Sequence, residues 1–114
     1  MYKWNEFLTR RADFTPEQFS EYWTNVHAPL VMSVPGVRKH AIRYVQQHNT
    51  GLVPEGVPAA PYDGVVEVWF ESMETFQAIA DSENWDAALK DVDNFADTSK
   101  TVVLITTEEV VYEQ

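Results

Sequence analysis

Residues 15–36, TPEQFSEYWTNVHAPLVMSVPG, decide the fold, because they carry the clearest helix signal in the chain. Thr15 can cap a helix, and Pro16 suits the first helical turn. Apolar side chains then recur at spacings of three and four and form one broad stripe: Phe19, Tyr22, Trp23, Val26 and Leu30. We therefore predict an amphipathic helix over residues 16–33, with a kink near Pro29, which lacks a backbone donor.

Segments on both sides of this helix predict the rest of the architecture. Alternating and β-branched apolar residues indicate four strands, at residues 2–11, 37–47, 63–71 and 101–112. Ser72 can cap a second helix, whose apolar phase breaks and restarts at Trp85. The order β-α-β-β-α-β predicts a ferredoxin-like α+β fold, a four-stranded antiparallel sheet with two helices on one face. Because no repeat or boundary interrupts it, we expect residues 1–114 to form a single domain.

The connection between the second and third strands is long for so small a domain. Residues 49–62 show no apolar period and hold five of the ten glycine and proline residues of the chain. Connections of this length are usually functional or disordered. We expect this segment to be the most mobile part of the chain apart from the termini, and to border a pocket entrance or a partner.

Apolar residues on both sides of the later strands predict a partner. Within residues 63–71, Val65 and Trp69 point to one side of the sheet, while Val66 and Val68 point to the other. Two helices can cover only one side, so the second apolar side needs another cover. A second copy of the same sheet is the simplest cover, and we expect a homodimer.

The composition excludes several classes of function. The 114 residues include no cysteine, which rules out disulfides and thiolate chemistry. A formal net charge of -10 argues against binding to nucleic acid or to an anionic membrane. No apolar run approaches the roughly 20 residues that span a bilayer, and the N-terminus lacks a signal-peptide pattern. We expect a cytoplasmic protein that acts on a small molecule.

Motifs for cofactors and metals are also missing. The sequence has neither a glycine-rich phosphate loop nor a paired-histidine metal motif. Asp91, Asp93 and Asp97 lack the glycine and the terminal glutamate of a calcium loop, and we interpret them as a solvated helix end. We therefore expect no metal and no organic cofactor, so that any catalysis rests on proton transfer by side chains.

Two histidines are the candidates for that proton transfer. His27 lies beside the apolar stripe, where it is either a structural histidine or a general acid or base that faces a cavity. His40 is predicted to lie in the middle of a strand, on the same face as Tyr44, and is either in a pocket or at the surface. His48 is interpreted as a loop residue.

Five further residues are candidates for substrate binding. Glu67 is the one charge in an otherwise apolar strand. Burial would raise its pKa and make it an acid or base, unless it pairs with Arg43 on a neighbouring strand. The aromatic candidates, for which core packing is the alternative explanation, are Trp23, Tyr44, Tyr62 and Trp69.

Four segments together resemble the EthD-like family of the dimeric α+β barrel superfamily: RRADFTPEQFSEYWTNVHAPLV (residues 10–31), VPGVRKH (34–40), YDGVVEVWF (62–70) and SKTVVLITTEE (99–109). The most specific parts are W-x-x-x-H-x-P, at Trp23, His27 and Pro29, and D-G-x-x-E-x-W-F, from Asp63 to Phe70. The resemblance implies a pair of ferredoxin-like protomers whose sheets face each other.

The resemblance also implies an activity. Such relatives look like small cofactor-free catalysts, either lactone isomerases or polyketide cyclases, dehydratases or decarboxylases. Their pocket lies between the sheet and the helices, and His27 and His40 match the positions that would carry the chemistry. Val68 stands where some isomerases have a cysteine, which argues against thiol-assisted isomerisation.

Two other functions stay open. In a second branch of the superfamily, heme-degrading and cofactor-free monooxygenases use an asparagine and a tryptophan where this chain has Asn5 and Trp69. The second helix has no histidine to bind heme, so the resemblance favours cofactor-free oxygenation over heme binding. The third function is that of a non-catalytic dimeric binding protein with structural histidines.

Overall fold

Four strands form one antiparallel sheet in the order β2-β3-β1-β4. The computed structural model describes all residues 1–114, and the strands are Tyr2–Leu8 (β1), Arg43–His48 (β2), Gly64–Phe70 (β3) and Val102–Thr106 (β4). With the helical connections on one face, this order is the ferredoxin-like α+β fold. The predicted fold is thereby confirmed. No helix has the length and apolar character needed to cross a bilayer.

Five short α-helices form the layer on that face. They are Pro16–Tyr22 (α1), Ala28–Met32 (α2), Pro35–His40 (α3), Met73–Ala80 (α4) and Trp85–Asp91 (α5). Thr15 begins α1 with a complete capping box, in which its hydroxyl accepts from Gln18 N–H and the Gln18 side chain accepts from Thr15 N–H. Ser72 caps α4 in the same way. Both predicted helix starts are therefore confirmed.

The helix predicted over residues 16–33 contains a π-turn at Trp23–His27. There the N–H of Ala28 donates to the carbonyl of Trp23, five residues back instead of four. The irregularity predicted near Pro29 thus lies one turn earlier. The proline ring disfavours a regular turn before it, because it lacks a donor and crowds the carbonyl four residues back.

The π-turn changes which side chains face the interior. One extra residue in a turn rotates all later residues by about 100° relative to a regular helix. Val26, predicted on the buried stripe, is 48% exposed, whereas His27, predicted at its edge, is 6% exposed. The histidine therefore lies inside the protein.

The strand predicted at residues 37–47 is wrong in its first half. Pro35 begins helix α3 after the extended residue Val34, and regular pairing with β3 begins only at Arg43. Val34 and Val37 are buried against α4, and a side chain at Gly36 would clash with Ser82, two residues after that helix ends. This packing selects a helix over the alternating pattern that the sequence offers.

The two faces of the sheet differ, and we name them by what covers them. The helix face carries the even-numbered residues of β1, β2 and β3, and Leu8 on it packs into the core beneath α1. The open face carries the odd-numbered residues of those strands, together with the even-numbered residues of β4. On the open face, Val102 is 47% and Leu104 56% exposed in the protomer. The exposure is not confined to this face, because Val103 and Ile105 on the other side of β4 are 41% and 40% exposed; the apolar residues that lack cover in the protomer are those of the edge strand β4.

Two buried clusters hold the helices on the sheet. The first joins β1, α1 and the segment after α5, and consists of Leu8, Phe19, Trp23, Phe95 and Ala96. The second joins α3, α4 and α5, and consists of Val34, Val37, Ile79 and Ala88. Three members of the second cluster also line the cavity described below.

Residues 49–62 form no regular secondary structure and are exposed over nearly their whole length. The base of the connection is closed by Asn49, whose N–H donates to the Asp63 carbonyl at 3.1 Å and whose side chain donates to the Tyr62 carbonyl at 2.7 Å. None of its residues lines the cavity. Within the protomer it therefore does not form the pocket entrance; its mobility and a contact with a partner stay predictions.

Candidate functional site

A cavity of about 100 Å³ lies between the helix face of the sheet and helices α2 to α5. Twelve of its fourteen lining residues are hydrophobic. The lining consists of Trp4, Glu6, His27, Val31, Val37, Tyr44, Val66, Val68, Phe76, Ile79, Trp85, Ala88, Leu89 and Val92. An apolar cavity with a few polar groups is the usual form of a small-molecule site.

His27 is fixed in this wall by a carboxylate. Its Nδ1 lies 2.9 Å from Oδ2 of Asp91, the last residue of α5, and its ring packs against Phe95 at a centroid distance of 5.0 Å. Both side chains of the pair are about nine-tenths buried. The π-turn supplies the histidine and α5 supplies the carboxylate, so two separate helical segments form the pair.

Asp91 accepts three hydrogen bonds. Its Oδ1 accepts from the hydroxyl of Tyr22 at 2.7 Å and from the side-chain amide of Asn94 at 2.9 Å, in addition to the contact with His27. Burial alone would raise the pKa of Asp91, but these three partners outweigh it and hold the pKa below its usual value. Asp91 is therefore ionised, and it can only accept.

The state of Asp91 determines the state of His27. Because the carboxylate cannot donate, Nδ1 must carry the hydrogen, and the lone pair of a neutral ring lies on Nε2. Burial lowers the pKa of His27 and outweighs the opposite effect of Asp91. The ring is thus neutral near pH 7, and Nε2 has no hydrogen-bond partner in the protein. This is the arrangement of a general base.

Glu6 and Tyr44 are the other polar groups of the lining. The Glu6 carboxyl has neither a hydrogen bond nor an ion pair with the protein, and burial raises its pKa. Burial also raises the pKa of Tyr44, and the charge of Glu6 adds to that effect. The Tyr44 hydroxyl accepts a long hydrogen bond, 3.4 Å, from Gln46. The sequence-predicted candidates His27 and Tyr44 are therefore brought together, and Glu6 joins them.

The structure does not bring His40 to the cavity. His40 is the last residue of helix α3, and it lines no part of the cavity wall. Its predicted position on the face of Tyr44 required a strand from residue 37, and the helix replaces that strand. His48 is in β2, at its end, and is not a loop residue; its ring contacts Trp23 and accepts or donates toward Ser20 at 2.9 Å.

Glu67 and Trp69 lie on the open face, away from the cavity. Glu67 forms an ion pair with Lys3 and accepts from Gln47 at 2.7 Å. Burial raises its pKa, but Lys3 and Gln47 outweigh that effect, so the pKa is lowered. Of the two alternatives that the sequence left open, this agrees with pairing to a basic residue, with Lys3 as the ion-pair partner and Arg43 adding a smaller effect. The Trp69 indole donates to Glu108, and its ring lies between Lys3 and the guanidinium of Arg43, 4.7 and 4.8 Å from its centroid.

The two remaining aromatic candidates also lie outside the cavity. Tyr62 packs against Phe7 of the open face at 5.2 Å between ring centroids. Trp23 is fully buried in the first cluster, and its ring leaves no room for a side chain at Gly64. Core packing, the alternative that the sequence left open, is what the structure shows for Trp23.

Asp91 and Glu6 are the site residues that the sequence did not single out. Asp91 was grouped with Asp93 and Asp97 as a solvated helix end, yet it follows buried Ala88 by three positions, which places it on the inner side of α5. Glu6 lies two residues from both Trp4 and Leu8 and so shares their face. In both cases the spacing to buried neighbours in the sequence indicates that the carboxylate faces inward. No group of three or more potential metal ligands converges anywhere in the chain.

Comparisons with known proteins agree with this fold. The sequence model of the EthD domain matches residues 11–99. A Rhodococcus erythropolis protein, described as an uncharacterized 11.0 kDa protein from the thcB–thcC intergenic region, is 34% identical over 112 residues, which are 97% of this chain and 98% of that protein.

Two crystal structures are similar in fold. The first is of an ethyl tert-butyl ether D (EthD) family protein from Bacillus halodurans, with a TM-score of 0.71, 21% identity, and coverage of 96% of this chain and 99% of that one. The second is of a dimeric ferredoxin-like protein of unknown function from Thermobifida fusca, with a TM-score of 0.66, 17% identity, and coverage of 94% and 90%.

Proposed function

Because this chain belongs to the EthD family, we propose that it is a cofactor-independent enzyme that moves protons between carbon and oxygen atoms of a small, oxygenated ring compound. The reaction is a cyclisation, dehydration, decarboxylation or lactone isomerisation, all of which need a proton removed or delivered at neighbouring atoms. The observation that carries the proposal is the buried His27–Asp91 pair in the wall of an apolar cavity.

His27 is the base in this proposal. Its Nε2 takes a proton from a carbon atom next to a carbonyl group, and the C–H electron pair enters the developing enolate. The imidazolium that forms is stabilised by the carboxylate of Asp91, which also holds the ring in the tautomer that the step needs. Tyr22 and Asn94 fix the carboxylate in turn.

The lining restricts the substrate. With twelve hydrophobic residues, the cavity favours an apolar ring and excludes most water, which strengthens electrostatic interactions inside it. A volume of about 100 Å³ is below the roughly 300–1,000 Å³ of pockets for drug-sized ligands. A single ring or a small bicycle therefore fits this protomer better than an extended polycyclic polyketide, and Tyr44 is placed to orient its oxygen.

The alternative functions receive less support from the geometry. Asn5 donates to Thr106 and to the Leu104 carbonyl on the open face, and Trp69 lies on the same face, so neither reaches the cavity. In a non-catalytic binding role, the partner-free Nε2 of His27 would only accept a hydrogen bond from the ligand. We keep both alternatives as outcomes of the experiment below.

We also infer that the protein is a homodimer formed through the open face. Exposed Val102 and Leu104 continue an apolar surface across β4 of the protomer. The Thermobifida fusca protein of the same fold is described as dimeric. A sheet face of this kind is best covered by its own copy.

Proton exchange from a carbon acid tests the proposed function without the natural substrate. In D₂O at pH 7, 2-indanone exchanges its α-protons slowly, and we expect the protein to accelerate this exchange, followed by NMR. His27→Gln should lower the protein-dependent rate by about 10²–10⁴-fold, the usual contribution of a positioned base.

His40→Gln is the matched control, because it removes the other sequence-predicted histidine outside the cavity. It should leave the rate within about twofold, since it loses no group that faces the cavity. Equal rates for His27→Gln and wild type would overturn the assignment of the base. Binding of 2-indanone without any acceleration would favour the non-catalytic alternative, and oxygen consumption with an aromatic substrate would favour the monooxygenase.

A further inference from the structure

We propose that Glu6 is the second proton-transfer residue of the cavity, and that it delivers a proton to the substrate oxygen at the boundary between the cavity and an outer cleft. This inference rests on the proposed function, in which His27 removes the proton from carbon. It adds the group that protonates the oxygen of the neighbouring carbonyl.

The position of Glu6 on β1 is the first argument. It lies between Trp4 and Leu8 on the helix face, and it is the only carboxyl group among the fourteen residues that line the cavity. No side chain or backbone group of the protein pairs with it. A carboxyl that is half-buried among apolar side chains without a partner costs stability, and such costs are typical of functional sites.

The second argument is that Glu6 lies at the boundary between the cavity and an outer cleft. Glu6, Leu89 and Val92 line the cavity and also line a cleft of about 500 Å³ that opens to solvent beside α5 and β4. The other walls of the cleft are formed by Lys90, Asp93, Thr98 and Thr101, which carry polar groups. The hydroxyl of Thr101 is buried there and has no hydrogen-bond partner. Glu6 is therefore the one carboxyl-bearing residue that borders both the cavity and the cleft.

The groups around Glu6 fit an acid. Burial raises its pKa, and no cation in the cavity wall opposes this, because His27 on the π-turn is neutral and Tyr44 on β2 is a phenol. Lys90 and Asp93 face the outer cleft and offset one another in charge. A ligand that fills the cavity removes further water from the carboxyl and favours its protonated form.

The step is balanced with these two residues alone. The C–H bond next to the carbonyl breaks, its proton goes to Nε2 of His27, and its electron pair forms the carbon–carbon double bond. The carbonyl oxygen takes the proton of the Glu6 acid as its π pair moves onto it, which gives an enol, an imidazolium and a carboxylate. His27 then delivers its proton to the same carbon or to another carbon of the enol, while the Glu6 carboxylate takes back the proton of the enol oxygen, which restores both groups without an oxidant or reductant.

This arrangement also orients the substrate. The ring lies in the apolar cavity, and the reacting oxygen points to Glu6 at the boundary with the cleft. Any polar substituent next to that oxygen extends into the cleft toward Lys90. The expected substrate class is therefore a compact cyclic ketone or lactone with its polar groups on one edge.

Two measurements test the role of Glu6. In protein labelled with ¹³C at glutamate carboxyl carbons, the Glu6 signal is identified by its loss in Glu6→Gln. We expect it to titrate above the ordinary glutamate range, and higher still when 4-nitrophenol, an enol mimic, saturates the cavity. In the 2-indanone exchange, Glu6→Gln should lower kcat by about 100-fold and change KM by less than about threefold, because proton delivery occurs only in the transition state.

Glu71→Gln, which removes an exposed carboxyl just after β3, is the matched control and should change neither kcat nor KM. If Glu6→Gln does not fold, Glu6→Leu replaces it, since leucine suits the apolar wall. Exchange that depends on His27 but not on Glu6, with a Glu6 titration unmoved by 4-nitrophenol, would overturn this inference and leave the proposed function intact. A responsive Glu6 titration without any 2-indanone exchange would contradict the base and, with it, proton delivery by Glu6, and would leave Glu6 as a carboxyl group that only contacts the ligand.

Discussion

The two faces of the sheet hold polar groups in opposite ways. On the open face the polar side chains satisfy one another: Lys3 with Glu67, Gln47 with Glu67, and Asn5 with Thr106. Between the helix face and the helices, the Nε2 of His27 on the π-turn and the carboxyl of Glu6 on β1 have no protein partner and border a cavity. Paired polar groups stabilise a surface that is to be covered, whereas unpaired ones are available to a ligand.

The largest expected effect is a loss of stability caused by a substitution in the core under the helix face. Phe95 is fully buried and packs against Phe19, Tyr22 and His27. Phe95→Ala should lower the free energy of unfolding by about 3–5 kcal/mol at every protein concentration, because it leaves a cavity that cannot collapse. Urea unfolding at several protein concentrations measures this.

Leu104→Ala is the matched change on the open face, where the side chain is already 56% exposed. It should change the unfolding free energy of the isolated protomer by less than about 0.5 kcal/mol. Its effect should appear only in the part of stability that depends on protein concentration. Equal, concentration-independent losses for both variants would contradict the difference between the faces.

The next effect concerns association. Leu104→Glu places a carboxylate in the inferred dimer surface, on the edge strand β4, where it would be desolvated without a partner. We expect the dimer dissociation constant to rise at least about 100-fold, which corresponds to roughly 2.7 kcal/mol. Sedimentation velocity over a range of micromolar concentrations measures it.

Val26→Glu is the control for charge, because Val26 is also apolar and 48% exposed but lies on the π-turn, away from the open face. It should leave association unchanged. A dimer that survives Leu104→Glu and dissociates with Val26→Glu would show that the helices, and not the sheets, form the contact.

The smallest effect is that Glu6 and Glu67 contribute to stability with opposite dependence on pH. Folding raises the pKa of Glu6, so the folded state binds more protons and stability falls as the pH rises from about 4.3 through the folded pKa. Folding lowers the pKa of Glu67, so its contribution is present above about pH 4.3 and is lost as the pH falls through the folded pKa.

At pH 8, Glu6→Gln should therefore raise the melting temperature, whereas Glu67→Gln should lower it. The loss expected for Glu67→Gln is about 1 kcal/mol in unfolding free energy. Scanning calorimetry at pH 8 and pH 4 measures both changes. Shifts of the same sign at pH 8 would mean that the two carboxyl groups are held in similar surroundings.

The sequence predicted the fold because fold-level signals are local and repeated. Capping residues, apolar spacing and strand order agreed, and the resemblance to the EthD family pointed to the same answer. The helix α3 was missed because Val37 and Ala41 also fit an alternating pattern. Only the packing of Val34, Gly36 and Val37 against α4 distinguishes the two conformations.

The site was predictable only in part, because a site depends on which face each residue occupies. His27 was identified, but Glu67 was preferred to Glu6, since an isolated charge in an apolar run is conspicuous whereas one in a mixed strand is not. Asp91 was not identified as a site residue, because together with the nearby Asp93 and Asp97 it resembles a solvated helix end. The depth of each carboxylate depends on tertiary packing, which composition does not encode.

The π-turn makes the site sensitive to chain length at one point. Position 27 faces inward because the helix carries one residue more than a regular helix would need between Trp23 and Ala28. A single-codon deletion there, such as loss of Thr24, would change neither the charge nor the apolar content, yet would turn the histidine by about 100° away from Asp91. Surveys that only exchange one amino acid for another would never sample this change, so a deletion library is the kind of experiment that would detect how narrowly the spacing is constrained.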